Sequence, residues 1–150
     1  MIVYRLAKTK YVHDLSGYGA HLYGGRWNEV GIHTLYCSTM RPLALLELLV
    51  HRNGSHLTLE HFTMIELEVN QANIVDMYAE SLDLLQQGKL LEQSQMARKA
   101  FASADVAGVR VASAILPQES NILLNPKSAA HAAIKVVDEY TLSIDSRLVG

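Results

Sequence analysis

Residues 42–50 read Pro-Leu-Ala-Leu-Leu-Glu-Leu-Leu-Val, a helix that is apolar on nearly every side. Such a segment has to be buried on more than one face, so the chain must supply layers around it. Proline suits the first turn, where amides lack an intrahelical partner. Asn53-Gly54 is a good stop. The polar exception inside the helix is Glu47. A carboxylate among leucines loses hydration and needs compensation. It either occupies a narrow solvent-facing edge, pairs with a structural arginine, or faces a polar cavity. The pattern leaves these open.

The rest of the chain can supply the layers. Ile2 to Leu6 reads as a first strand and Thr34 to Ser38 as a short one. From Thr63 to Val69, Ile65, Leu67 and Val69 alternate with Glu66 and Glu68, predicting a half-buried strand with its glutamates outward. Gly108 to Leu116 predicts another, with Val109, Val111, Ser113 and Ile115 on one face. Ile122–Leu124 and Ile134–Tyr140 complete the strands, with a turn at Asn125-Pro126 between them. Helices are predicted over Ala79–Gln87 and Lys89–Ser103, broken at Gly88. Residues 13–33 hold five of the nine glycines and predict a long structured loop. Without a regular βαβ rhythm, the class is α+β, with a mixed sheet core and flanking helices. The length of 150 residues fits one domain over 1–150.

Several function classes are disfavoured. A net charge of −2 and a pI near 6.4 provide no electrostatic footprint for direct nucleic-acid binding. One cysteine, Cys37, cannot form an internal disulfide and suits a reducing cytoplasm. The N-terminus lacks a signal-peptide core, and no run of about 20 apolar residues is present to span a membrane. A cytoplasmic protein is expected. His51, His56 and His61 are spaced by five, with Asn53-Gly54 interrupting any helix between them. Neither a His-Glu-x-x-His motif nor a cysteine pair occurs, so no metal is expected. Asn53-Gly54-Ser55 matches a glycosylation sequon, which has no meaning in a cytosolic protein.

Other residues break local rules. Arg26 lies in Tyr23-Gly24-Gly25-Arg26-Trp27-Asn28, where paired glycines let backbone approach a ligand and arginine offers a planar fork for phosphate or carboxylate. The competing arrangement is a turn with Arg26 stacked on Trp27. Gly17-Tyr18-Gly19 through Gly24 has the wrong spacing for a dinucleotide fingerprint. Arg5 sits in an apolar strand, whose alternation can aim it at solvent. Ser113 falls among inward-facing valines, where a hydroxyl needs a partner that backbone can supply. Tyr36 is consistent with plain core.

Taken together, these residues resemble the RES domain family, named for its arginine, glutamate and serine. The likeness runs through Tyr4-Arg5, Tyr23-Gly-Gly-Arg26-Trp-Asn28, Gly31, Leu35-Tyr36-Cys37-Ser38 and Ala44-Leu45-Leu46-Glu47. It continues with Val109-Arg110-Val111-Ala112-Ser113-Ala114, Asn121-Ile-Leu-Leu-Asn125-Pro126, Ile134-Lys-Val-Val137 and Ser143-Ile-Asp-Ser-Arg147-Leu148. Two departures stand out. Ala112 occupies the family's usual proline position, and Ser94 to Ala107 lacks the expected Gly-Asp-x-x-Trp-like segment. Ser120 competes as the named serine, but the Val-x-Ser-Ala context favours Ser113.

The resemblance implies a fold similar to ADP-ribosyltransferase toxins and a growth-arresting toxin that breaks NAD+ at its nicotinamide–ribose bond. Water or phosphate would be the acceptor, and NAD+ a substrate with no further cofactor. Glu47, Arg26 and Tyr36 would carry catalysis. Arg5, Arg26, Tyr36 and Ser113 would bind NAD+: the arginines at the pyrophosphate, Tyr36 stacked on nicotinamide, and Ser113 at phosphate or ribose. The implied partner is an Xre-type DNA-binding antitoxin that blocks the pocket and represses the operon, with a homodimer as one arrangement within that complex. One alternative transfers ADP-ribose to a protein; another is a non-catalytic module that binds nucleotide or antitoxin.

Overall fold

The computed structural model describes residues 1–51, 61–143 and 145–148. Its strands are β1 (Ile2–Lys8), β2 (Leu35–Ser38), β3 (Phe62–Glu68), β4 (Ile74–Asp76), β5 (Gly108–Ala112), β6 (Ser120–Leu124) and β7 (Lys135–Thr141). They form one sheet in the order β4-β5-β6-β2-β1-β3-β7, antiparallel except for the β4–β5 pair. The helices are α1 (Tyr18–Tyr23), α2 (Arg41–Val50), α3 (Tyr78–Gln86), α4 (Leu90–Ser94) and α5 (Met96–Ala100). A mixed sheet with flanking helices is the α+β class expected from the sequence.

Strand alternation divides the buried residues between the two sheet faces. Leu35 pairs with Leu124 and Cys37 with Ile122. With Val3, Ile65 and Leu67 they form one core. On the opposite face Tyr36 pairs with Leu123, which pairs with Val109. These pack under Trp27, Met96 and Val111. One step along that face the row turns polar: Ser38 pairs with Asn121. The candidate site is built where that second core gives way.

Several expectations need correction. The segment 13–33 contains a short helix, α1, between its loops. The 89–103 stretch is two short helices meeting at Gln95, while Gly88, at φ +64°, makes the break before them. The strand expected over 108–116 stops at Ala112, so Ser113 and Ile115 lie beyond it. The short strand β4 went unforeseen because its three residues carry too little pattern. Glu66, expected outward, is buried beneath Arg41 and Tyr140, which both hydrogen-bond to its Oε1. Helix α2 covers β1 and β2 with one face: Leu43 and Ala44 are buried, but Leu46 and Val50 remain exposed. It is therefore not enclosed on several sides. The Asn53-Gly54 stop, the sequon and His56 lie outside the described residues.

Among the described residues no helix is long and apolar enough to cross a membrane. Among them no group of three or more His, Cys, Asp or Glu residues is arranged to hold a metal.

Candidate active site

Glu47 sits two-thirds along α2, on the side that faces β2 and β6. Its Oε1 accepts two hydrogen bonds, from Ser113 Oγ at 2.9 Å and from Asn121 Nδ2 at 2.6 Å. Oε2 is 4.0 Å from His51 Nε2, one turn further along the helix. The lone acid of the leucine-rich segment is thus held by polar partners at the edge of a cavity; neutral groups, not an arginine, supply its hydrogen bonds.

That cavity has a volume of about 410 Å3, within the range of small-molecule sites. Its walls include Gly25, Arg26, Tyr36, Glu47, His51 and Asn121. A smaller hollow of about 190 Å3 shares Tyr36, Glu47, His51 and Asn121 with it and also touches Arg5 and Ser38. Strand geometry explains this hollow. β1 and β2 share a single registered pair, Tyr4 with Ser38, and Arg5 and Leu6 of β1 then face Tyr36 and Cys37 of β2 across the hollow.

The glycine-rich segment is fastened to the sheet through Tyr36. Its hydroxyl donates to Asn28 Oδ1 at 2.6 Å and accepts from the Trp27 amide at 3.2 Å. Asn28 in turn donates to the carbonyls of Ala20, Glu29 and Ile32. Gly25 is required here, because a Cβ at this position would lie 2.6 Å from the Tyr36 hydroxyl oxygen. Burial pushes the Tyr36 phenol up to about 12, against smaller opposing effects from the backbone at Trp27 and Asn28. Trp27 is inserted in the core, and Arg26, one residue earlier, remains exposed at the cleft. Arg26 Nη1 donates to Gln93 Oε1 at 3.0 Å, and Gln93 is itself buried and tied to the Leu84 carbonyl.

The structure therefore brings Glu47, Arg26 and Tyr36 to one cavity. Ser113 takes a different position from the expected one. It is fully buried, its hydrogen goes to Glu47, and its oxygen accepts from the amides of Ile115 and Leu116. Its contact is with the acid, not with open space. Arg5 is not among the residues lining the cavity that holds Arg26. It lines the small hollow and a third cavity of about 590 Å3 with Asp14, Tyr18 and Thr34. Its Nη2 reaches the Asp14 carbonyl at 3.5 Å, and its Nε is buried without a partner. Burial lowers the Arg5 pKa, while Cys37 and Asp14 act in the opposite direction. The hollow lined by Arg5 and the cavity lined by Arg26 adjoin at Tyr36, Glu47, His51 and Asn121.

Sequence reasoning gave no site role to Asn121, Ser38 or Gln93, and weighed His51 only as a metal ligand. Asn121 carried a usable signal: it begins the run Asn-Ile-Leu-Leu, a polar residue directly before three apolar ones in a strand whose members are all buried. Gln93 had no such signal, because a glutamine in a polar helix reads as surface.

Comparison with known proteins bears on the whole chain. The RES domain description matches residues 2–145. A Photorhabdus laumondii protein named Toxin Res is 37% identical, over 99% of this chain and 97% of its own length. A Sphingobium protein named Prs ADP-ribosylating toxin is 33% identical, over 95% of this chain and 91% of its own length. Among solved structures, one from the crystal structure of the M. tuberculosis MbcT–MbcA toxin–antitoxin complex superposes with a TM-score of 0.73. It is 16% identical, covering 95% of this chain and 84% of that one, so the likeness is one of fold.

Proposed function

The chain belongs to the RES domain family, and from that membership we propose that it is the toxin of a toxin–antitoxin pair that breaks NAD+ between nicotinamide and ribose. One observation carries this reading: a carboxylate anchored through one oxygen, Glu47, shares a cavity of suitable size with an exposed guanidinium, Arg26, and a tyrosine ring, Tyr36.

Cleavage of the C1′–N1 bond leaves positive charge on the ribose, as in glycoside hydrolysis. The bonding electrons leave with nicotinamide, which departs neutral, and the acceptor oxygen then bonds to C1′ and releases a proton. Glu47 Oε2, the oxygen that Ser113 and Asn121 do not engage, would face the developing cation or hold a ribose hydroxyl. Removing one preorganised electrostatic contact of this kind costs on the order of 100- to 1000-fold in rate. Arg26 offers a planar fork to a substrate phosphate. The Tyr36 ring provides a face for the cationic nicotinamide before it leaves.

Incubating the purified chain with NAD+ and separating the products tests the reading. Nicotinamide should appear, with ADP-ribose if water is the acceptor or its 1-phosphate if phosphate is. Glu47→Gln, which keeps shape and removes charge, should abolish the loss of NAD+ while remaining folded. Full turnover by that variant removes Glu47 from the mechanism, and intact NAD+ with the unaltered chain removes the activity.

A second reading is favoured by the name of the Sphingobium relative, an ADP-ribosylating toxin. The same cavity would then transfer ADP-ribose to a protein nucleophile, and labelled protein would replace free ADP-ribose among the products. On either reading the partner is an antitoxin carrying an Xre-type DNA-binding domain, which covers the cleft, and both act in the cytoplasm. Co-purified antitoxin should suppress the loss of NAD+.

A further inference from the structure

Asn121, the second residue of β6, lies in the most enclosed strand of the sheet, between Ser38 of β2 and Val111 of β5, and is 6% exposed. A buried carboxamide in that position has to satisfy a donor end and an acceptor end. Ser38 Oγ donates to Asn121 Oδ1 at 2.8 Å, which leaves Nδ2 turned toward Glu47 Oε1 at 2.6 Å. Flipping the amide would set two acceptors, Oδ1 and Oε1, against one another. The carboxylate can only accept, so it selects this amide orientation; Ser38 holds the far end of the amide, and Asn121 holds Glu47 Oε1.

We infer that Asn121, held by Ser38, is a positioning residue that decides which oxygen of Glu47 faces the cleft. The inference rests on the proposed role of Glu47 and extends it to a residue that has not been given one. Asn121 and Ser113 both donate to Oε1, so that oxygen is fully engaged from two directions. Oε2 is left as the oxygen presented to the cavity, with His51 4.0 Å away. The choice of side chain matters chemically. An arginine here would hold the carboxylate as firmly but would cancel the charge that a ribosyl cation needs. A neutral amide orients the acid and leaves its charge in place.

The test compares the unaltered chain, Glu47→Gln, Asn121→Ala, Asn121→Asp and Ser38→Ala. With NAD+, Asn121→Ala should lower kcat ten- to hundredfold and leave KM within about twofold, since it acts on the acid and not on substrate contacts. Ser38→Ala, which removes the donor holding Asn121 Oδ1, should show a smaller loss of the same kind. Asn121→Asp places an acceptor and a second negative charge against Glu47. Its activity relative to the unaltered chain should rise as pH falls from 7 to 5, where a protonated aspartic acid donates again. A residue that only supported the fold would not move that pH profile.

Crystal structures of the unaltered chain and Asn121→Ala give a readout that needs no turnover. In the variant the Glu47 carboxylate should rotate away from Ser113. Unchanged kcat in Asn121→Ala, or a Glu47 carboxylate that stays in place, overturns the inference; an inactive Glu47→Gln beside it leaves the NAD+ reading standing. If the unaltered chain spares NAD+, that reading falls, and the crystallographic comparison decides the orienting role. If Asn121→Ala does not fold, Ser38→Ala carries both measurements, and unaltered kcat with an unmoved Glu47 overturns the inference there as well.

Discussion

Ser113 Oγ donates to Glu47 Oε1 across 2.9 Å, joining residues 66 positions apart in the chain. The same oxygen accepts the amides of Ile115 and Leu116, at 3.1 Å each, and so makes the turn that leaves β5. One hydroxyl thus sets both the loop at the cavity wall and the acid inside it.

Ser113→Ala should damage both. Two amides at a buried turn would lose their acceptor, which costs about 1–3 kcal/mol. For a chain of this size that corresponds to a Tm lower by several degrees. With one of two donors removed from Oε1, kcat for NAD+ should fall while KM changes little. Thermal melts and steady-state kinetics on one preparation check this. An unaltered Tm would show that water replaces the hydroxyl at no cost.

Tyr36 and Gly25 should be coupled. Tyr36→Phe keeps the ring but removes the hydroxyl that bridges Asn28 and the Trp27 amide. The expected loss is about 1–3 kcal/mol, with weaker NAD+ binding as the Arg26 segment loosens. Gly25→Ala drives a Cβ to 2.6 Å from that hydroxyl and to 2.9 Å from Asn28 Oδ1. The double variant should be less destabilised than the two single losses summed, because the first contact is gone, although the second persists. Urea melts of the four proteins measure the coupling. Strict additivity would mean that the glycine serves some purpose other than close approach.

The pattern of these residues explains how far sequence reading reached. The apolar alternation of 63–69 and 108–116 predicted strands because side chains on a strand have a period of two, whatever lies above them; the second strand stops at Ala112. The outward placing of Glu66 failed because an exposed position on a strand becomes a buried one once Arg41 and Tyr140 cover it. Glu47 was legible as a carboxylate among leucines, and Arg26 as an arginine after paired glycines. The partner of Glu47 was not: alternation extended β5 through Ser113 and hid the turn, and Asn121 is brought to it only by the β2–β6 register. Arg5 was legible as unusual, but the hollow it lines was not, since the opening between β1 and β2 is a property of their pairing.

Gln93 lies just before the segment in which this chain departs from the family pattern, and it steadies Arg26. Gln93→Leu keeps volume and removes the acceptor at 3.0 Å from Nη1. It also leaves the Leu84 carbonyl without its donor. KM for NAD+ should rise several-fold to tenfold with kcat nearly unchanged, the reverse of the pattern expected when Glu47 is disturbed. Arg26→Ala should raise KM further, and Gln93→Leu should add little on that background. Equal effects of Gln93→Leu with and without Arg26 would detach the glutamine from binding.

Stability should fall at alkaline pH for a reason built into β2. Burial pushes the Cys37 thiol from 9.0 up to about 12, and the Tyr36 phenol from 10.0 up to about 12. Both groups hold their proton more tightly when folded, so the stability they contribute is fully present below their unfolded values. It is lost as pH rises through the interval up to about 12. Where Cys37 is ionised in the unfolded chain and neutral in the folded one, the slope approaches 1.4 kcal/mol per pH unit. Urea midpoints should stay level from pH 7 to about 8.5, decline from about 9, and steepen beyond about 10 as Tyr36 joins. Cys37→Ala should lower the whole curve through the volume it removes but postpone the onset of decline to about 10. An onset that stays near 9 in that variant would assign the alkaline weakness to a group other than this thiol.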